Sequence, residues 1–220
     1  MIKNSTYYII GAGVGLLGLG MLLVFTKNKD SKPKQPKTLK NILFVGDSMT
    51  DEYYLNQPTY TYSYLIKNKL TDKSVDIIAE VGKTTSWMLS NVKTQLAKKK
   101  YDRVYIWGGV NDIFSGYTQS SAIANIQSIV DSVVAQGGDA YVLIGYDAEK
   151  FMSPAVLTAN KYNASMKPYY VKYQKALKSS IKNATIIDEF NLSSSYSSDG
   201  IHPTGAAHQI IANELMKNIK

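Results

Sequence analysis

Short apolar runs alternate with helical hydrophobic periods from Asn41 to the end of the chain. Continuous apolar runs of this kind are typical of strands buried on both faces, and they occur at 41–46, 75–80, 103–109, 140–146 and 184–189. Between them, one helix face is marked by Ala122, Ile126, Ile129, Val130, Val133 and Val134. Strands that alternate with helices require right-handed crossovers and a parallel sheet covered on both faces. The sequence therefore predicts an α/β fold, a three-layer αβα sandwich around about five parallel strands.

The turns that follow the predicted strands carry polar residues. In open parallel sheets, ligands bind beyond the carboxyl ends of the strands. The first strand ends in Gly46-Asp47-Ser48, the next two are followed by VGKTTSW and GGVNDI, and the loop before the last helix reads SSDGIHPT. Each turn also has an ordinary structural interpretation, since Gly-Asp-Ser is common in turns and Asn111 or Asp112 suits a helix cap. The topology nevertheless brings all four segments to one edge, which favours a shared site.

The residues of these turns suit ester hydrolysis by a serine nucleophile. Such a reaction needs a base for the hydroxyl proton and a group that orients the base. His202 lies in a loop three residues after Asp199, so one imidazole nitrogen can meet the carboxylate and the other can meet Ser48. His208 falls on the last predicted helix, where packing or solvent exposure is expected. We therefore predict Ser48, Asp199 and His202 as catalytic residues.

Four sequence blocks in order resemble the SGNH hydrolases, also called the GDSL esterase/lipase family. GDSMT is similar to the block that carries the nucleophile, here Ser48, and VGKTT to the glycine block, with Gly82. GGVND resembles the asparagine block, with Asn111, and DGIHPT the block with Asp199 and His202. The resemblance covers 41–220. It implies an αβα sandwich, no metal or organic cofactor, and hydrolysis of esters or thioesters. An oxyanion hole is expected from the amides of Ser48 and Gly82 and the side chain of Asn111.

The N-terminal end has a different character from the rest of the chain. Residues 7–25 carry no charge and are long enough to span a bilayer as a helix. We predict a single-pass membrane anchor over 1–26, with a cleaved signal peptide as the alternative. A flexible lysine- and proline-rich linker is expected over 27–40, followed by the hydrolase domain at 41–220. The lysines favour a cytoplasmic domain by the positive-inside rule, but a lysine-rich spacer also suits an anionic cell wall, and we expect an extracytoplasmic domain.

Composition excludes several other classes of function. The chain has no cysteine, which excludes disulfides, thiol catalysis and zinc–thiolate sites, and its two histidines leave little scope for a histidine-based metal site. The net charge of +8 comes mostly from the first 40 residues, because the remainder holds 18 basic and 16 acidic residues. Nucleic-acid binding by the globular part is therefore not expected.

The substrate is inferred from two tyrosine-rich segments, 51–62 and 146–170, which are expected near the site. Tyrosine rings stack on sugars, although plain surface packing is the stronger explanation of such clusters in a chain with 17 tyrosines. The sequence favours O-deacetylation of a carbohydrate, with a small-molecule or polysaccharide ester as substrate. A lipid-active esterase or thioesterase, similar to a lysophospholipase, is the main alternative. A catalytically silent glycan-binding module on the same fold is the other.

Overall fold

The structure is a computed structural model that describes residues 39–54 and 61–219. The predicted anchor over 1–26, with its apolar run 7–25, lies outside the described residues, as does the predicted linker up to residue 38. No helix within the described part of the chain is both apolar enough and long enough to cross a bilayer. The folded domain begins before Asn41, because Leu39 is buried and the backbone amides of Lys40 and Asn41 donate to Oδ2 of Asp102.

Five strands form one parallel sheet in the order β2-β1-β3-β4-β5. Their bounds are β1 Asn41–Gly46, β2 Ser74–Ala79, β3 Arg103–Trp107, β4 Asp139–Leu143 and β5 Thr185–Ile187. Each lies within a predicted apolar run or within one residue of it, so the prediction of about five parallel strands is confirmed. Strands β1 and β3 occupy the middle of the sheet, and Ile42, Leu43, Phe44 and Val45 are fully buried there.

Eight α-helices of the described part connect and flank the strands. They are α1 Tyr62–Lys69, α2 Thr85–Leu96, α3 Val110–Phe114, α4 Gln119–Ala135, α5 Ala148–Phe151, α6 Pro154–Ala159, α7 Lys167–Ser180 and α8 Gly205–Met216. Helices α1 and α8 pack together, whereas α2 packs on α4 and α4 on α7. Strand β2 lies on one side of β1 and strand β3 on the other. With right-handed crossovers, this change of direction puts α1 and α8 on one face of the sheet and α2, α4 and α7 on the opposite face.

The buried face of α4 differs from the predicted one at a single position. Ala122, Ile126, Ile129, Val130 and Val133 are buried as expected. The sequence predicts Val134 on the same face, but this residue is 39% exposed. One residue along a helix turns the side chain by about 100°, so the position after Val133 points away from the core.

Candidate active site

The serine turn begins where β1 ends. A Cβ on Gly46 would lie 2.1 Å from Oγ1 of Thr50 and 2.7 Å from the carbonyl oxygen of Trp107, so only glycine fits this close approach. The carbonyl oxygen of Asp47 accepts hydrogen bonds from the backbone amides of Thr50 and Asp51, both at 2.9 Å. This tight turn holds Ser48 at the carboxyl end of β1, with only 2% of its surface exposed.

A second turn, before α8, is organised by Asp199. Oδ1 of Asp199 accepts from the backbone amides of Ile201 at 2.9 Å and His202 at 2.8 Å, and from Oγ of Ser197 at 3.2 Å. Its other oxygen, Oδ2, lies 2.5 Å from Nδ1 of His202. The carboxylate therefore fixes both the backbone of the loop and the orientation of the imidazole.

Hydrogen bonds join three of the predicted residues directly. Oγ of Ser48 lies 2.8 Å from Nε2 of His202, whose other ring nitrogen meets Asp199. Burial acts to raise the pKa of Asp199, but the hydrogen bond and the positive charge of His202 outweigh it, and the pKa lies well below its ordinary value. An ionised Asp199 accepts the proton on Nδ1, which leaves Nε2 as the acceptor for the Ser48 hydroxyl. The arrangement suits removal of the serine proton by His202.

Of the three predicted oxyanion donors, Gly82 and Asn111 lie on the two turns next to the serine turn. Gly82 is exposed, three residues beyond the end of β2, and has a left-handed φ of 75°. Nδ2 of Asn111, in α3, donates to the carbonyl oxygen of Lys83 at 3.0 Å. Oδ2 of Asp51 accepts from the backbone amide of Val81 at 3.2 Å, which ties the turn after β2 to the serine turn.

The suggestion that Asn111 or Asp112 caps the helix at the third turn is wrong, because the N-cap of α3 is Gly109 and no side chain bonds there. Asp112 instead bonds to the first residue of α2. Its side chain is buried and accepts from the backbone amide of Thr85 at 2.9 Å and from the Thr85 hydroxyl at 2.6 Å. These bonds join the start of α3 to the first turn of α2. Asn111, one residue earlier, bonds to the turn before α2 instead. Asn111 and Asp112 therefore hold the turn after β2 and the turn after β3 together.

Sequence reasoning assigned no role to Asp47, which lies fully buried beside Ser48. Its Oδ1 accepts from the backbone amide of Met49 at 3.0 Å, whereas Oδ2 has no partner among the described residues. Burial raises the pKa of Asp47 to about 7, against the lowering effect of the Met49 amide. The Gly-Asp-Ser pattern gives the residue type but not the depth of the carboxyl group, so the sequence carries no signal for this shift.

Two tyrosines beside His202 were not predicted from the sequence as individual site residues. The ring of Tyr54 stacks on the imidazole with centroids 4.2 Å apart, and the ring of Tyr162 lies at 6.4 Å. Both belong to the tyrosine-rich segments noted in the sequence, which was the only signal for them. The structure thus puts one residue from each segment beside the predicted base.

His208 is placed for packing and not for catalysis. His208 lies on α8, is fully buried and accepts through Nδ1 from the backbone amide of Tyr62 at 3.3 Å. Across residues 39–54 and 61–219, no cluster of three or more histidine, aspartate or glutamate side chains is arranged to hold a metal ion.

Comparison with known proteins identifies the family of the chain. A model of the GDSL-like lipase/acylhydrolase family matches residues 44–210. No protein of curated function matches the sequence.

Solved structures resemble the whole folded part. The psychrotrophic esterase EstA from Pseudoalteromonas sp., inhibited by monoethylphosphonate, is 20% identical with a TM-score of 0.62 over 82% of this chain and 96% of its own. TesA is 19% identical with a TM-score of 0.62, over 82% and 98% of the two chains. The acetyl xylan esterase AlAXEase is 15% identical with a TM-score of 0.62, over 82% and 100%. At these identities the similarity establishes the fold.

Proposed function

Because the chain belongs to the GDSL-like lipase/acylhydrolase family, we propose that it is a carboxylic ester hydrolase in which Ser48 is the nucleophile. The observation that carries the proposal is the unbroken chain of contacts from Oγ of Ser48 through the imidazole of His202 to Asp199. Nucleophile, base and orienting acid within hydrogen-bond reach are the recognised features of a serine triad.

The reaction proceeds in two halves. Nε2 of His202 accepts the Ser48 proton while Oγ attacks the ester carbonyl carbon, and the resulting imidazolium is paired with Asp199. The imidazolium then gives its proton to the leaving alcohol oxygen as the carbon–oxygen bond breaks, which leaves an acyl-serine. Water enters, loses a proton to His202 and releases the acid, and the proton returns to Ser48. Asp199 stays ionised throughout because its pKa is lowered.

The negative charge on the carbonyl oxygen needs donors near Ser48. We assign this role to the backbone amides of Ser48 and Gly82 and to the side chain of Asn111. The bond from Asn111 to the Lys83 carbonyl occupies one hydrogen of its amide group and fixes the orientation of the other. Removal of one oxyanion donor typically costs about 3 to 4 kcal/mol of transition-state stabilisation.

The proposed substrate is an O-acetylated carbohydrate. Support comes from the aromatic rings of Tyr54 and Tyr162 beside His202, which offer faces for a sugar ring. One structural neighbour is named an acetyl xylan esterase. The polymer or small glycoside enters with its acetyl carbonyl at Ser48.

A series of p-nitrophenyl esters from acetate to octanoate, with acetylated oligosaccharides beside it, tests the proposal on the full chain. We expect the highest kcat/KM on acetate, release of acetate from the oligosaccharides, and no turnover by Ser48→Ala. Preference for octanoate identifies a lipid-active esterase instead. Wild-type turnover by Ser48→Ala overturns the serine mechanism, and no turnover of any ester by the folded wild type indicates a binding module.

Anchoring of the enzyme to a membrane through residues 7–25 is a separate proposal, supported by the uncharged run in the sequence. The full chain should stay with the membrane pellet after alkaline carbonate extraction, and a variant that lacks 7–25 should appear in the supernatant. Protease added outside intact cells should degrade the hydrolase domain. Release of the full chain by carbonate contradicts the anchor, and protection from protease contradicts the extracytoplasmic orientation.

A further inference from the structure

The imidazole of His202 is covered on one face by the ring of Tyr54. The two ring planes are 29° apart and their centroids are separated by 4.2 Å, which is a face-to-face stack. Tyr162, on the other segment, is tilted by 56° at 6.4 Å and makes a looser contact. Tyr54 is half-buried, and its place in the chain, six residues after Ser48, brings the ring back over the site.

The hydroxyl group of Tyr54 also reaches the acid that orients His202. It donates to Oδ2 of Asp199 at 3.5 Å, and this is the same oxygen that meets Nδ1 of His202. Burial, followed by the charge of Asp199, raises the pKa of Tyr54, so the hydroxyl keeps its proton and acts as the donor. The long distance makes this a weak hydrogen bond, so the stacked ring is the main contact between Tyr54 and the site.

The stack has a consequence for the reaction, because His202 becomes positively charged when it accepts the Ser48 proton. The face of an aromatic ring carries partial negative charge and attracts a cation above it, more strongly where water is excluded. Ser48 is nearly covered, so the imidazolium forms in a region shielded from bulk water. A neutral imidazole gains less from the same contact, which means that the ring favours the charged state.

We propose that Tyr54 is a positioning residue that holds His202 in line with Ser48 and Asp199 and stabilises its imidazolium form through the stacked ring. The proposal rests on the proposed function, because it concerns the proton that His202 takes from Ser48. It assigns the main effect to the ring and a smaller one to the hydroxyl group.

Other groups around His202 affect its charge and are the same in every variant compared below. Besides Tyr54, the titratable groups that contact His202 or influence it electrostatically are Asp199, Tyr162, Asp47 and His208. Burial raises the pKa of Asp47 to about 7, so we expect this group to contribute to the pH dependence of the wild type. Comparison of two Tyr54 variants with each other removes this contribution.

The experiment compares Tyr54→Phe, which keeps the ring, with Tyr54→Leu, which removes it. The neighbouring Tyr53 is 66% exposed and serves as a matched control through Tyr53→Leu. The full chain is assayed on p-nitrophenyl acetate from pH 5 to 9, with the product read at its isosbestic wavelength. Circular dichroism at each pH verifies that the variants are folded, and Ser48→Ala gives the background rate.

Relative to Tyr54→Phe, we expect Tyr54→Leu to shift the acid limb of kcat/KM to lower pH by about half a unit to one unit. The shift is downward because a less stable imidazolium forms only at higher proton concentration. We also expect kcat to fall about threefold to thirtyfold, with KM changed by less than about twofold. The acid limb of Tyr53→Leu should coincide with that of the wild type.

Two outcomes overturn the proposal about Tyr54. One is an acid limb at the same pH in Tyr54→Leu and Tyr54→Phe, and the other is an equal shift in Tyr53→Leu. A purely structural role for Tyr54 gives the first outcome, because loosened packing lowers the rate at every pH alike. Failure of the proposed function is separate, since it shows as wild-type hydrolysis by Ser48→Ala or as no hydrolysis by the wild type.

Discussion

The two histidines of the chain lie in contrasting regions although they are close in sequence. His202 is in the loop at the carboxyl edge of the sheet, where one ring nitrogen meets Ser48 and the other meets Asp199. His208 is on α8 with no exposed surface, accepts one long bond from the amide of Tyr62, and has no partner for Nε2 among the described residues. The same side chain is placed for proton transfer in one region and for packing in the other.

The two regions differ in whether the charged form of a side chain is stabilised there. Burial, followed by the positive charge of His202, lowers the pKa of His208 to about 3, so its ring is neutral at physiological pH. Burial likewise raises the pKa of Asp47 to about 7. At the edge of the sheet, His202 holds the pKa of Asp199 below its ordinary value despite partial burial. The edge of the sheet therefore favours the charged form of Asp199, whereas burial disfavours the charged forms of His208 and Asp47.

The largest effect is expected when each histidine is replaced by asparagine and the full chain is assayed on p-nitrophenyl acetate. His202→Asn should lower kcat by about 10⁴- to 10⁶-fold, because the general base is lost. His208→Asn should retain kcat within about tenfold, since its ring touches neither Ser48 nor Asp199. Losses of similar size in the two variants would remove the distinction between the regions.

The next effect concerns the pH dependence of stability at His208. Its folded pKa is lowered to about 3, so its contribution is fully present above the unfolded value of about 6.5 and is lost as pH falls. Between pH 7 and 4 this loss is on the order of 3 kcal/mol. His208→Asn keeps an acceptor for the Tyr62 amide, and its free energy of unfolding in urea should fall less over this range than that of the wild type. Equal losses in the two proteins would contradict a buried neutral imidazole.

A smaller effect of opposite sign is expected at Asp47. Its folded pKa is raised to about 7, so its contribution is present below the unfolded value of about 3.9 and is lost as pH rises through 7. From pH 5 to 7.5 the free energy of unfolding of Asp47→Asn should therefore rise by about 2 kcal/mol relative to the wild type. The same urea titrations measure it. A difference that stays constant with pH would show that the Asp47 carboxyl titrates normally.

Much of the fold follows from the sequence because its signals are local and periodic. The buried runs of β1 and β3 and the apolar face of α4 each depend on spacing along one segment. The contact between Ser48 and His202 joins residues 154 positions apart, and it was expected because parallel strands deliver their ends to one edge.

The remaining features depend on loop conformation and on the depth of single atoms. The stack of Tyr54 on His202 requires the path of the loop after Ser48, which no period encodes. The shifted pKa of Asp47 requires the packing around one carboxyl group, because burial is its largest cause. Turn residues such as Gly46 indicate that a tight turn exists, but the atoms that it brings together are known only from the structure.

Covalent labelling by a fluorophosphonate tests most directly whether Ser48, His202 and Asp199 act as one catalytic unit. Intact-mass and peptide mass spectrometry of the labelled full chain should show a single adduct, on Ser48. Ser48→Ala should not react, His202→Asn should react far more slowly, and His208→Asn should react within about tenfold of the wild-type rate. Equal labelling of Ser48→Ala and the wild type, or an adduct at another residue, would contradict the account.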